Sequence, residues 1–278
     1  MSWYRGDFHV HTNRSHGGEL TPAEITVAAR ACGLDVIAVT EHDRPAEWPV
    51  TDDDLLVIPG RENLTPGGHW LALGPDVLRV VAHPHAPYPG GTFTGPLDGF
   101  DLVEVWNGRW TSDLPWNADN EAALADWGRA LPAGVRAGSW RPAIGNSDVH
   151  LRDQIGTPQT VVRAGELSAA AVLAALRAGH CWIAGSAAVD LSFTARAGGH
   201  VAGIGEILAT GGAPAVVELR VTGVPAGEVT VHTECGPVLA VPISGEPITW
   251  SGRAELVRVE IRHPSGHPAA LTNPIILV

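Results

Sequence analysis

Short apolar runs recur through the first 150 residues, and most of them stop at a histidine, a carboxylate or an amide. The run 36–39 ends in Thr40-Glu41-His42. The run 55–58 leads to Gly60-Arg61-Glu62, 77–82 to His83, 102–105 to Trp106-Asn107, and 143–145 to Asp148 and His150. Runs this short, rich in Val and Ile, read as buried parallel strands that present polar groups at their carboxyl ends. A first strand is expected over 7–11. Thr21-Pro22-Ala23-Glu24 has the form of a helix start, with an N-cap Thr, Pro in the first turn and Glu placed for a capping box. Ile25, Ala28, Ala29 and Cys32 follow at helical spacing, and Gly33 stops the helix. Further helices are expected near 117–129 and 167–178. The connection from His69 to the strand before His83 is too short for a crossover helix, so those two strands should pair antiparallel.

After about residue 186 the pattern changes to period two. Val217, Leu219 and Val221 alternate with polar residues, as do Val229 and Val231, and Val257, Val259 and Ile261. With Gly and Pro between them, these segments predict a small sandwich-like all-β module. The expected division is therefore 1–186, an α/β barrel or open parallel sheet, and 187–278, the β module.

Composition narrows the chemistry. The 278 residues include 45% hydrophobic and 17% charged residues, which suits a packed core. All 18 basic residues are arginine, so lysine Schiff bases and a P-loop lysine are excluded. The net charge of −12 disfavours a nucleic-acid partner. Cys32, Cys181 and Cys235 form no paired framework. The N-terminus lacks a signal-peptide core and no stretch is apolar enough to span a bilayer, so the expectation is a soluble, cytoplasmic protein without membrane contact. A homo-oligomer is compatible with all of this.

Imidazole and carboxylate groups dominate the candidate chemistry. Residues two apart on a strand share a face, so His9 and His11 aim together, as do Asp148 and His150. With His16, Glu41-His42-Asp43, Glu62, His69 and His83-Pro84-His85, the set suits more than one zinc, manganese or iron ion and points to metal-assisted hydrolysis. His83 ends its apolar run directly and is preferred to His85. Glu41 and Asp43 flank His42 and read as supporting or solvent-facing residues, one of which could orient a ligand imidazole. Arg14, Asn107 and Arg109 are candidates for binding substrate, and Trp70, Trp106, Trp110, Trp116 and Trp140 could wall a pocket. His232, His263 and His267 read as ordinary histidines of the β module.

The motifs His9-Val10-His11-Thr12, Ser15-His16-Gly17, Val39-Thr40-Glu41-His42-Asp43, Pro59-Gly60-Arg61-Glu62, Gly68-His69-Trp70-Leu71-Ala72-Leu73-Gly74, Ala82-His83-Pro84 and Asn146-Ser147-Asp148-Val149-His150 resemble those of the PHP (polymerase and histidinol phosphatase) family. The likeness covers roughly residues 3–160. Trp3 to Asp7, Gly33 to Thr40 and Thr272-Asn273-Pro274-Ile275 further resemble the CehA/McbA-like branch, which includes ester and carbamate hydrolases. The resemblance implies a distorted seven-stranded barrel with two or three divalent ions (Zn, Mn or Fe). His9, His11, Glu62 and Asp148 would hold the first, Glu62 with His69 and His83 the second, and His16, His42 and His150 the third. It implies a phosphoesterase acting on a small phosphorylated substrate through a hydroxide bridging the ions, with Asp148 relaying a proton as catalytic residue. The alternative is a carboxylic ester or carbamate hydrolase using the same ions. Many relatives carry Asp where this chain has His16.

Overall fold

The computed structural model describes residues 1–50, 54–109 and 116–278. Its first part runs β1 (Ser2–Val10), α1 (Pro22–Ala31), β2 (Val36–Val39), β3 (Leu56–Thr65), β4 (Gly68–Leu73), β5 (Leu78–Val81), β6 (Leu102–Asn107), α2 (Ala118–Ala137), β7 (Ala143–Asn146), β8 (Gln159–Ala164), α3 (Ala169–Arg177) and β9 (Cys181–Ala184). The fold is mixed α/β, with few helices and many strands. The local signals act as expected at α1: Thr21 caps the helix, accepting from the Glu24 N–H, while the Glu24 carboxylate accepts from the Thr21 N–H. Gly33 follows with φ of 71°, a conformation that costs glycine little.

Helix α2 extends well past the expected end at 129. Pro132 lies inside it and removes one N–H from the ladder. The helix continues because Ala123, Leu124, Trp127 and Leu131 bury one continuous face, and Gly138 closes it in the left-handed region.

Strands β1 to β7 are hydrogen-bonded neighbours in chain order. β1–β2, β2–β3, β5–β6 and β6–β7 are parallel, whereas β4 runs antiparallel to both β3 and β5, the hairpin the short connection required. The ends of this series meet. The Phe8 N–H donates to Asn146 Oδ1 at 2.8 Å, and Val10 and Val149 form a parallel bridge. Phe8, Val36, Ala38, Ile58, Leu71 and Ile144 are fully buried and share one core.

The second part is all β: β10 (Asp190–Ala197), β11 (His200–Gly203), β12 (Ile207–Leu208), β13 (Ala215–Thr222), β14 (Glu228–Thr233), β15 (Gly236–Pro242), β16 (Ile248–Gly252), β17 (Leu256–Arg262), β18 (Pro268–Thr272) and β19 (Ile275–Leu277). β11, β10, β13 and β16 form a separate four-stranded sheet, and β10 alternates exposed and buried along its length. The division expected at 186/187 falls within a continuous sheet. β8 pairs with the N-terminal half of β1, β9 with β8, and β18 with β9. Val161, Trp182 and Ala184 pack into the same core as Val217, Val259 and Ala270. Asn273 adds a polar stitch: its Oδ1 accepts from the Ala143 N–H at 2.8 Å, and its Nδ2 donates to the carbonyls of Ala143 and Cys181, each at 3.0 Å. No helix of the described residues is long and apolar enough to cross a membrane.

Candidate metal centre

The parallel strands, through their carboxyl-terminal portions, and the antiparallel β4, through its amino end, bring their polar residues to one end of the sheet. Asp7 and His9 lie on β1 and His11 just beyond it; Glu41 and His42 follow β2; Glu62 is on β3 and His69 on β4; His83 follows β5; Glu104 and Asn107 are on β6; Asp148 and His150 follow β7. An isolated parallel bridge joins His42 to Glu62. His83 and Asp148 have φ of 26° and 50°, the left-handed region that non-glycine residues rarely occupy. Such backbone persists only where surrounding contacts fix it.

Glu62 is the hub. Its Oε2 lies 3.5 Å from His9 Nε2, 3.3 Å from His11 Nε2 and 3.2 Å from His42 Nε2. Its Oε1 lies 3.0 Å from His69 Nδ1 and 3.1 Å from His83 Nε2. Asp148 Oδ1 sits 3.3 Å from His9 Nε2, 3.1 Å from His11 Nε2 and 3.6 Å from His150 Nδ1. His9 Nε2, His11 Nε2 and Asp148 Oδ1 are buried and make no aligned hydrogen bond. Three donor sets draw their ligand atoms within 4.8 Å of one another: His9, His11 and Asp148; His9, Glu62 and His83; His11, His42 and His150. Lone pairs that converge in a dry site without shared protons repel, and a divalent cation with N/O preference relieves that repulsion. The donor chemistry fits such an ion.

The charges are coupled. Burial alone would raise the Glu62 and Asp148 carboxyls, yet the facing imidazoles, His9 first, hold both well below the usual range. Burial opposes protonation of His9, and the surrounding carboxylates, Asp148, Glu104 and Glu62 in that order, overcome it and push the imidazole well up.

Residues with no ligand motif of their own hold this cluster in place. Glu104 is fully enclosed. It accepts from His9 Nδ1 at 3.2 Å, Asn146 Nδ2 at 2.8 Å, Asn107 Nδ2 at 3.1 Å and the His83 N–H at 2.9 Å. Placing the His9 proton on Nδ1 leaves Nε2 free to face the cluster. Glu41 accepts from the hydroxyls of Thr12 and Ser15, and the Ser15 hydroxyl lies 3.1 Å from His11 Nδ1. The Asp7 carboxylate accepts from the backbone N–H of Ser147 at 3.1 Å and of Gly156 at 3.0 Å; burial pushes its pKa up to about 6, against those donors. Sequence reasoning assigned nothing to Glu104, Asp7, Ser15 or Tyr88. The usable signal was Glu104 itself, an acid in the middle of the apolar run 102–105.

His9, His11, His42, Glu62, His69, His83, Asp148 and His150 are brought together. His16 is not: it is exposed on the cavity wall and joins no set of three donors among the described residues, because His11 takes the place beside His42 and His150. His85 turns away and pairs with Asp126 of α2 at 2.7 Å. The two arginines expected to grip substrate are engaged elsewhere. Arg14 donates to the Glu47 carbonyl at 2.7 Å, and Arg109 to the Asp153 carbonyl at 2.9 Å and carboxylate at 3.2 Å. Each has an acidic loop neighbour that meets its charge. Asn107 faces inward but its amide donates to Glu104 and Asp148, so it positions carboxylates. Trp106 and Trp116 are buried against each other, Trp70 stacks edge-on to Phe100, and Trp140 packs beside the α2 core. None of these four lines the cavity, and Trp110 lies outside the described residues.

Above the cluster opens a cavity of about 450 Å³, with Glu62, His69, His83 and Asp148 in its floor and Leu64, Tyr88 and Leu151 in its walls. The Tyr88 hydroxyl lies 3.3 Å from His69 Nδ1.

Residues 141–181 match the family described as PHP-associated. No curated protein matches the chain. Among solved structures, the chain is similar to a two-domain protein from Bacteroides vulgatus containing a predicted PHP-like metal-dependent phosphoesterase. The TM-score is 0.54 at 14% identity, over 99% of this chain and 94% of that one. It is also similar to the lesion-specific endonuclease PfuEndoQ from Pyrococcus furiosus, with TM-score 0.45, 14% identity, and 63% and 56% of the two chains covered. PsfC from Pseudomonas syringae gives 0.43 at 16% identity, over 60% of this chain and 84% of that one.

Proposed function

We propose that this chain is a metal-dependent hydrolase of the PHP kind, a phosphoesterase acting on a small phosphate ester at the centre built around Glu62. The observation that carries the reading is the convergence of buried, unbonded His9 Nε2, His11 Nε2 and Asp148 Oδ1 beside a carboxylate that faces five imidazoles. We read β1–β7 as the distorted seven-stranded barrel and 187–278 as its C-terminal β module, one that completes the sheet through β18. The match of 141–181 to the PHP-associated family, and the fold shared with the Bacteroides vulgatus protein, support this reading.

His9, His11, Glu62 and Asp148 would hold one divalent ion, and Glu62 through its other oxygen, with His69 and His83, a second. Divalent ions there would activate water and offset charge developing on the cleaved ester. Glu104 fixes the His9 tautomer, and Ser15, backed by Glu41, orients His11. Asp148, at the cavity floor with Oδ2 held by Asn107 at 3.2 Å, is placed to pass a proton to the leaving oxygen.

The test is metal analysis of the purified protein with a hydrolysis screen across phosphate esters and aryl carbamates. Two bound zinc, manganese or iron ions and phosphate-ester turnover are expected. Turnover should vanish in His11→Ala and Asp148→Ala while the far-UV spectrum stays native. Turnover unchanged in both variants would remove the site from the chemistry.

A further inference from the structure

The cavity is poor in positive charge. Among the described residues no arginine lines it, and residues 51–53 and 110–115 contain none in sequence. Arg14 pairs with Glu47, Arg109 with Asp153, and Arg152 with the Glu24 carboxylate at 2.9 Å; Arg44, two residues after His42, and Arg61, beside Glu62 on β3, do not line the cavity. Beneath the cavity, Asp7, Glu41, Glu62, Glu104 and Asp148 are all buried, and their partners are imidazoles, hydroxyls and amides. Together these carboxylates at least cancel two divalent ions. A centre loaded with two ions therefore has no surplus cation, and among the described residues no guanidinium lining the cavity, to hold the second negative charge of a phosphate monoester. The walls are of another kind. Leu64 and Leu151 are 37% and 45% exposed at the opening, and the ring of Tyr88 faces His69 and His83.

Resting on the function proposed above, we propose that the cavity selects phosphate diesters, singly charged at the cleaved centre, over monoester dianions, with an apolar substituent seated against Leu64, Tyr88 and Leu151. In the reaction a bond forms from water oxygen to phosphorus and one phosphorus–oxygen ester bond breaks. One water proton goes to the leaving alkoxide and the other is released, giving a monoester and an alcohol. The monoester product is the dianion that the site holds poorly, which favours its release.

The full chain loaded with zinc or manganese is assayed near pH 8 with bis(4-nitrophenyl) phosphate and 4-nitrophenyl phosphate. The diester is expected to show kcat/KM at least about tenfold higher. Calorimetric titration should show diethyl phosphate binding more tightly than inorganic phosphate. Leu151→Arg, at an exposed position, should narrow the diester preference several-fold with metal content unchanged. A wild-type protein that binds its metals and cleaves the monoester as well or better, or that binds inorganic phosphate more tightly than diethyl phosphate, overturns the selectivity and leaves the hydrolase reading standing. Failure to bind metal or to cleave either ester removes the hydrolase reading itself.

Discussion

Glu104→Gln tests whether an acid with no ligand role governs the centre. The change keeps shape and replaces one carboxylate oxygen by an amino group. Each oxygen now receives two donors: Oε1 those of His9 Nδ1 and Asn146 Nδ2, Oε2 those of the His83 N–H and Asn107 Nδ2. Whichever way the amide turns, two donors meet an N–H group instead of a lone pair. Leaving a buried donor unsatisfied costs about 1–3 kcal/mol, so a loss of about 2–5 kcal/mol is expected. For a chain of this size that lowers the melting temperature by about 5–15 °C. The lost carboxylate also ceases to fix His9 with its Nε2 inward. Partners of this kind are worth about 10- to 100-fold in metal affinity, or about 1.4–2.7 kcal/mol. The assay is competitive zinc titration with a chromophoric chelator, alongside thermal unfolding of the metal-free and loaded protein. A variant that binds zinc within twofold of wild type and melts at the wild-type temperature would refute the role given to Glu104.

Two further outcomes concern the β module. Burial, with Arg258 and Arg262 opposing Glu260, lowers the His232 pKa to about 4. An imidazole depressed in the fold contributes stability that is complete above its unfolded value near 6.5 and is lost as pH falls towards 4, in all about 3 kcal/mol. Denaturant midpoints measured between about pH 4 and 7 should therefore fall less steeply in His232→Gln than in wild type; parallel curves would show that His232 is not the group responsible. Asn273→Ala leaves the Ala143 N–H and carbonyl without their side-chain partner and should cost about 2–4 kcal/mol in chemical denaturation; a change below about 0.5 kcal/mol would mean the stitch is replaced by other bonds.

Part of the centre was legible because strand alternation converts sequence spacing into direction: His9 and His11 could be paired from the end of β1, and the short connection before His83 dictated the antiparallel β4–β5 pair. Asp148 and His150 do meet, but beyond β7 and with Asp148 in the left-handed region, so the loop and not strand alternation brings them together. What escaped has physical causes. The extent of α2 was hidden by Pro132, whose local penalty is outweighed by the buried face from Ala123 to Leu131. His16 and His11 both lie near the turn after β1, and only its backbone path decides which imidazole meets His42. Arg14 and Arg109 are drawn off by Glu47 and Asp153, partners 33 and 44 residues away. Nothing in the sequence around 186 announces that β18 will join β9, because an apolar run that completes a distant sheet reads the same as one that serves its own.

The β9–β18 ladder makes the assembly of the molecule obligatorily late. β9 must wait for a partner that follows it by more than eighty residues, and in the interval it presents a bare, fully apolar rim. Long-range pairing of this sort slows folding and leaves an edge open to other chains. A fragment ending near 186 would carry that rim permanently and be prone to self-association. The β module thus works as a closing clasp for the strands that carry the histidines.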